Sequence, residues 1–310
     1  MKPLVVIIGP TAIGKTSFSI ELAKRVHGQI INGDAIQVYR GLDIGSGKIT
    51  KAQMQHIPHH LLDIRDPDQR FDITQFQSLA RSCIDDILAV GDCPIVVGGS
   101  GLYIKSLIYD YTFSEDKPLD PMIQAKINAM DDRSLYEWLN QVDPISAQKF
   151  HPNNRVRIER CLTIALSNGQ TKSSIEARQA HTLLYDVKLI YMDTDRLLLR
   201  KRISERVDQM IKDGLLDEIQ TLLDQGYTFD DAGLRGIGYK EFKPWFDHKM
   251  DCQACIDTVK IHSGQFAKRQ RTFFIHQFCQ LQQVDPFKDD MDQIMGEIEV
   301  WWSTKHAVRY

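Results

Sequence analysis

The chain has 310 residues and a mass of 35.6 kDa, about two domains' worth at roughly 150 residues each. Apolar residues make up 43% and charged residues 25%, which excludes a disordered, collagenous or low-complexity chain. No apolar stretch approaches the ~18–20 residues that span a bilayer. The net charge of −3 excludes a wholly basic nucleic-acid binder, but the average conceals two basic stretches. Residues 146–182 hold six Lys or Arg against two acids, and residues 258–284 hold four against none. Such patches on an acidic body can hold a polyanion, although solvated helix faces produce similar runs. The first apolar run, Leu4 to Ile8, is too short for a signal-peptide core. With six scattered Cys this points to reduced thiols and a cytoplasmic protein.

In chain order, Leu4, Val5, Val6, Ile7 and Ile8 predict a strand buried on both faces of a parallel sheet. Residues 16–26 place Phe18, Leu22 and Val26 at helical spacing, with Gly28 expected to stop the helix. Residues 29–31 predict a second strand, 60–64 a third, and 94–97 a fourth ending in Gly98 and Gly99, with a helix over 74–90. Repeated strand–loop–helix units imply an α/β fold, a parallel sheet with helices on both faces. Beyond Tyr111 the pattern changes. Residues 120–130, 134–141 and 154–167 read as helices, and strand character returns only at 187–191. The simplest arrangement is a helical insertion domain over 113–183 within an α/β core of 1–112 and 184–310. From Leu197 onward the chain reads as helical, with Arg202, Arg206 and Met210 on one face.

Gly9, Pro10, Thr11, Ala12, Ile13, Gly14, Lys15 and Thr16 fit G-x-x-x-x-G-K-[ST] without a mismatch, between a buried strand and an amphipathic helix. Glycines let successive backbone N–H groups turn toward phosphate oxygens, and the helix N-terminus adds the positive end of its dipole. Lys15 supplies a full charge, and Thr16 an oxygen for Mg2+. The core is therefore expected to be P-loop, nucleoside-triphosphate-hydrolase-like, binding a phosphate or diphosphate. Asp34 follows the second strand and so emerges at the same carboxyl edge. A carboxylate there could ligate metal or act as a base, and a turn or capping residue would look the same. On these residues alone a transferase, a small-molecule or nucleotide kinase and an RNA-binding module driven by a nucleoside triphosphate all remain open.

Longer blocks carry a family resemblance. The loop in the form Gly-Pro-Thr-Ala-x-Gly-Lys-Thr resembles that of the tRNA dimethylallyltransferases. So do the runs from Asp34 through Gln37, Tyr39 and Gly45 to Lys48, from Ile57 to Pro67 and from Gly98 to Tyr103. The match continues in His151 to Asn154 with Arg157 and Arg160, Gly236 to Glu241, and Gln265 to Gln270. These blocks keep their order over residues 3–275. The resemblance implies transfer of a dimethylallyl group from dimethylallyl diphosphate to the exocyclic amine of the adenosine on the 3′ side of a tRNA anticodon. It implies that the P-loop, with Lys15 and with Mg2+ on Thr16, absorbs the charge of the departing diphosphate. By the same resemblance Asp34 accepts the amine's proton. Ser100, where the family usually has Thr, orients the amine or diphosphate, and Arg202 and Arg206 contact the diphosphate.

For the RNA, the resemblance implies that Asp34, Ala35, Ile36, Gln37 and Ser100 read a base flipped from the anticodon-loop stack. Val156, Arg157, Ile158, Glu159 and Arg160 of the insertion are expected on the tRNA path. So are Arg235, Gly236, Ile237, Gly238, Tyr239 and Lys240, together with Ser263, Gly264, Gln265, Phe266, Ala267, Lys268, Arg269 and Gln270. Tyr239 and Phe266 are the expected stacking platforms for unpaired bases. The partners expected are the tRNA anticodon stem-loop and dimethylallyl diphosphate, with no membrane and the protein a monomer. The chain departs from the family pattern at Ile13 and Ala35, each where a Ser is usual, at Gly264 in place of an Arg, and at Phe273 in place of a Trp. Cys252 and Cys255 with His248 and His262 make half a zinc site at most. Trp301 and Trp302 are expected to pack the last helix onto the body.

Overall fold

A computed structural model of the protein describes residues 1–111, 113, 118–179 and 182–306. The strands are β1 (Lys2–Ile8), β2 (Gly28–Asn32), β3 (His59–His60), β4 (Cys93–Gly98), β5 (Tyr185–Met192) and β6 (Gln282–Val284). The helices are α1 (Lys15–Val26), α2 (Ile73–Ala89), α3 (Gly101–Ile108), α4 (Pro121–Ala129), α5 (Asp132–Val142), α6 (Pro144–Ala147), α7 (Arg155–Asn168) and α8 (Lys172–Ala177). They continue with α9 (Arg196–Lys212), α10 (Leu215–Asp224), α11 (Lys243–Phe246), α12 (Cys252–Gln277) and α13 (Met291–His306). Two compact units result, Met1–Tyr109 with Leu183–Tyr310, and Asp110–Thr182.

In the first unit six parallel strands form one sheet in the order β3-β2-β4-β1-β5-β6. Alternate residues of β1 point to opposite faces, and each face buries its own core. Val5 and Ile7 pack with Phe18 and Leu22 of α1, Leu199 and Ile203 of α9, and Ile298 and Trp302 of α13. Leu4, Val6 and Ile8 pack with Phe76 and Ile84 of α2, Leu107 of α3 and Phe274 of α12. A third cluster joins Val38 and Leu42 to Ile219, Tyr239, Phe242 and Val259. The chain leaves this unit at Tyr109 and re-enters at Leu183, two residues paired in an antiparallel bridge. The second unit is helical, with Ile127, Leu135, Leu139, Ile158 and Leu162 at its centre.

The structure departs from the sequence expectations at three elements. The third strand is His59–His60 rather than 60–64, because Leu61 (φ +62°) and Asp63 (φ +54°) break the extended conformation. α1 is ended by left-handed His27, whose N–H returns to the Ala23 carbonyl, while Gly28 begins β2. β6 was not foreseen at all. It is three residues long and only Val284 of it is buried. Trp302 packs α13 onto the sheet as expected.

α12 runs for 26 residues, capped by the Asp251 carboxylate on the Ala254 N–H. Gly264 lies in its interior, and a Cβ built there meets nothing within 4 Å. Glycine in a helix interior costs roughly 0.5–1 kcal/mol relative to alanine through backbone entropy. Gly264→Ala is therefore expected to raise stability by about that amount, read as a higher urea midpoint at unchanged m-value.

Candidate active site

The P-loop begins where β1 ends. Gly9 follows Ile8 so closely beside β5 that any side chain on it would overlap the Met192 carbonyl. Gly14, with φ +103°, turns the chain into α1 through a conformation that favours glycine. Lys15 Nζ folds back over the loop, donating to the carbonyls of Gly9 (2.9 Å) and Pro10 (2.8 Å). Ile13 is buried in the core, so its side chain packs inward. The Thr11 N–H donates to Gln270 Oε1 (3.1 Å), and Gln270 Nε2 donates to the Gly99 carbonyl (2.9 Å).

β2 and β4 bring Asp34 and Ser100 to the same edge. Gly98 lies so close to Gly33 that a Cβ would overlap its backbone, which draws the two strand ends together. Buried Asn32 fixes the turn. Its Oδ1 accepts the Asp34 N–H (3.0 Å) and its Nδ2 donates to the Asp34 and Leu61 carbonyls (both 3.1 Å). Asp34 Oδ1 accepts the Ile36 N–H (2.8 Å), leaving Oδ2 without a hydrogen bond among the described residues. Ser100 Oγ accepts the Ala35 N–H (3.1 Å).

These groups share an electrostatic neighbourhood. Burial, and then repulsion from Arg206, lowers the Lys15 ammonium to about 7, while Asp34 pulls the other way. Burial also lowers Arg206, again against the attraction of Asp34. Arg206 makes no hydrogen bond or ion pair among the described residues. A half-buried guanidinium with no direct ion-pair partner among the described residues, beside a lysine, is a site that an anion would complete.

A cavity of about 530 Å³ opens beside these residues. Thr11, Asp34, Ser100, Arg206, Arg269 and Gln270 form its polar lining. Ile203, Val207 and Met210 of α9 and Val259, Phe266 and Phe273 of α12 form its apolar wall. The α9 set recurs at three-to-four-residue spacing and the α12 set every seven residues, or two turns, each on one helix face.

The family model described as IPP transferase matches residues 37–277. The chain belongs to the IPP transferase family. The tRNA dimethylallyltransferase of an Exiguobacterium species is 47% identical over 280 residues, covering 89% of this chain and 88% of that one. Its Staphylococcus carnosus counterpart is 42% identical over 304 residues, 96% of each chain. Among solved structures, the tRNA delta(2)-isopentenylpyrophosphate transferase of Staphylococcus epidermidis is 37% identical. It superposes with a TM-score of 0.73, covering 98% of this chain and 100% of that one. A eukaryotic dimethylallyltransferase acting on tRNA is 29% identical with a TM-score of 0.81, over 93% of this chain and 75% of that one.

In this member of the IPP transferase family several expected site residues are placed differently from the sequence reading. Arg202 does not line the cavity. Its Nε donates to the Ala12 carbonyl (2.9 Å) and its guanidinium stacks on Phe287 (4.6 Å). Tyr239 cannot stack on a base, because it is fully buried and its hydroxyl donates to Glu218 (2.8 Å). Ala267 and Ile158 are core residues of their own units, whereas Gly236, Ile237 and Gly238 line the cavity. Gln37 donates to the Ser46 and Gly47 carbonyls (both 3.3 Å) rather than projecting freely. Glu159 pairs with Arg155 (2.7 Å), which removes a repulsive charge from α7. Val156, Arg157 and Arg160 are exposed on that helix, as are Arg235, Lys240, Gln265, Lys268 and Arg269 on the first unit. The half zinc site does not assemble, since Cys255 is buried in the core and His262 Nδ1 meets Glu241 (2.8 Å). Sequence reasoning missed Gly45, Ser46, Leu102, Ile203, Val207 and Val259 in the cavity wall. The Ile203–Val207–Met210 spacing beside Arg206 was the signal available for the α9 residues.

Lys15 gives the site a pH signature. Its protonated form binds phosphate, so affinity for inorganic pyrophosphate should be highest below about pH 7. It should fall by up to tenfold per unit as pH rises through that value. Lys15→Arg stays charged throughout, and the titration of pyrophosphate itself is common to both proteins. Calorimetric affinities from pH 6 to 9 should therefore show a wild-type to variant ratio that declines above pH 7.

Proposed function

We propose that this protein transfers the dimethylallyl group of dimethylallyl diphosphate to the exocyclic amine of the adenosine 3′-adjacent to the anticodon in tRNA. The observation that carries the reading is the juxtaposition around one cavity: an unpaired Arg206 beside the P-loop, Asp34 with a free oxygen, and an apolar wall. Diphosphate binds the P-loop amides, Lys15 and Arg206. The five-carbon chain lies against the apolar side chains of Ile203, Val207 and Met210. As the C1–O bond breaks and the C1–N bond forms, the diphosphate departs with its charge held by these cations. The amine's proton passes to Asp34 Oδ2. The Asp34 Oδ1–Ile36 bond fixes the carboxylate while the other oxygen does the chemistry.

Thr16 lies exposed in the first turn of α1, its hydroxyl without a hydrogen bond among the described residues. It is a hard oxygen of the kind Mg2+ takes alongside phosphate oxygens and water. The donor set fits, and Mg2+ there supplies further neutralisation of diphosphate charge. The adenosine leaves its stack to reach the cavity, as for other enzymes acting on a base. Exposed cations on α7 and α12 bind the anticodon stem-loop backbone. All six cysteines are free thiols, the state a reducing cytoplasm maintains. No described helix is long and apolar enough to cross a membrane. The protein is read as a cytoplasmic monomer.

Asp34→Asn preserves the bond from the Ile36 N–H but cannot take a proton. Single-turnover prenyl transfer at saturating substrates should fall about 10²–10⁴-fold, with donor and tRNA affinities little changed. Near-normal chemistry would remove Asp34 as base, and ATP turnover without prenyl transfer would favour a kinase instead.

Reversing both Arg157 and Arg160 to Glu should weaken tRNA binding and flatten its salt dependence. Each lost phosphate contact contributes roughly 0.7–0.9 to the log–log slope. Pyrophosphate affinity, measured alongside, should stay at the wild-type value.

A further inference from the structure

Glu218, on α10, does not line the cavity, yet its carboxylate gathers the backbone of the loop that does. Its two oxygens accept the N–H groups of Asp43 (2.9 Å), Ile44 (2.7 Å) and Gly45 (3.1 Å). They also accept the hydroxyl of Tyr239 (2.8 Å), and that hydroxyl in turn accepts the Ser46 N–H (3.0 Å). Four successive amides are thus held by one acid and one phenol. Burial, and then Glu218, push the Tyr239 hydroxyl well above its ordinary range, so it remains a donor. Gly45 lies on the Tyr239 ring, where a Cβ would come within 2.5 Å of Cζ.

The next residue explains why this precision matters. Gly47 has φ +60°, and its α-carbon is the surface on which the Arg206 guanidinium rests: a Cβ would overlap Arg206 Nη2. Because Arg206 has no polar partner among the described residues, its direction is set by packing against this loop. A displacement of the loop would therefore let the guanidinium swing.

We propose that Glu218, acting with Tyr239, is a positioning residue for diphosphate binding, holding the 43–47 loop so that Arg206 faces the anion. This rests on the reading of Arg206 as a diphosphate contact. The test is a double-mutant cycle on the full-length protein, with inorganic pyrophosphate as the probe in calorimetry and thermal unfolding measured in parallel. Arg206→Ala alone should weaken pyrophosphate at least tenfold, and Glu218→Gln should also weaken it at least tenfold. In the Arg206→Ala background Glu218→Gln should then have an effect of less than about twofold, because the group it positions is gone. An equal loss in both backgrounds, or full affinity in a folded Glu218→Gln protein, would overturn the positioning role while leaving the Arg206 contact intact. If Arg206→Ala itself binds pyrophosphate normally, the contact fails and the positioning role fails with it. Should Glu218→Gln not fold, Tyr239→Phe removes one hydroxyl from the same clamp and enters the same cycle with the same expected non-additivity.

Discussion

Gln270 contributes one buried carboxamide, and the geometry of the site depends on how its two ends are used. Its oxygen takes the Thr11 N–H of the P-loop and its nitrogen gives to the Gly99 carbonyl at the end of β4. A primary amide offers a donor and an acceptor in one plane, which is what two backbone groups of opposite polarity on neighbouring strand ends require. Buried polar groups are costly unless paired, so both loops are drawn to α12 and α12 to them. The helix has a second anchor one residue on. Arg271 pairs with buried Asp193 (2.9 Å) just beyond β5, and Asp193 also accepts the Tyr191 hydroxyl (3.0 Å). A buried ion pair adds little net stability but is expensive to break. It therefore fixes register rather than strength, and α12 presents Ser263, Phe266 and Phe273 to the cavity in consequence.

With the loops fixed, the electrostatics follow from which groups are already satisfied. Arg202 is held by the Ala12 carbonyl and Phe287, and Lys48 by Tyr39, Asp43 and Asp63. Lys15 lies on its own loop. Arg206 alone of these four has no polar partner among the described residues, and Asp34, the nearby acid, has one oxygen committed to Ile36. The site is thus poised between two cations that repel each other and one acid that moderates both. Adding a diphosphate relieves the repulsion and restores charge to Lys15. An anion bound beside both cations would therefore be coupled to proton uptake by Lys15.

Much of this was legible in the sequence, for a physical reason. The P-loop, β1, β2 and β4 are local patterns: a β-branched run followed by glycine turns is read without knowing what lies opposite. Asp34 could be placed because a parallel sheet puts every strand end on one edge, while Ser100 came from the family resemblance. Tertiary choices were not legible. Arg202 and Arg206 sit four residues apart on α9 and look alike in sequence, but one faces the loop backbone and the other the cavity. Tyr239 reads as an RNA-facing aromatic until Glu218, 21 residues earlier, is seen to hold its hydroxyl. The run 263–270 reads as one stretch, whereas a helix shows a given surface only every third or fourth residue. Ser263, Phe266 and Gln270 therefore face the site while Ala267 goes to the core. β3 ends early because Leu61 and Asp63 turn to positive φ, with Asp63 held by Lys48 across 15 residues.

The departures from the family pattern are absorbed by neighbours. Ala35 has no hydroxyl, but its backbone N–H still engages Ser100 Oγ, so the two strand ends remain tied. Phe273 lies against Gly101 at the start of α3, where any side chain on the glycine would overlap its ring. The smaller aromatic is thus accommodated by direct contact with backbone. Gly264 is the case that packing does not compensate, since among the described residues nothing lies within 4 Å of where its Cβ would be. A Cβ would fit there without displacing any described atom. The charge that an arginine would bring is instead carried in the neighbouring turn by Arg269, which lines the cavity with its guanidinium 5.8 Å from the Phe266 ring. A cation spread over an aromatic face at the cavity wall can meet phosphate or a stacked base from one position. In α12 the cation at the cavity wall is thus supplied by Arg269, at a position the family pattern does not depart from.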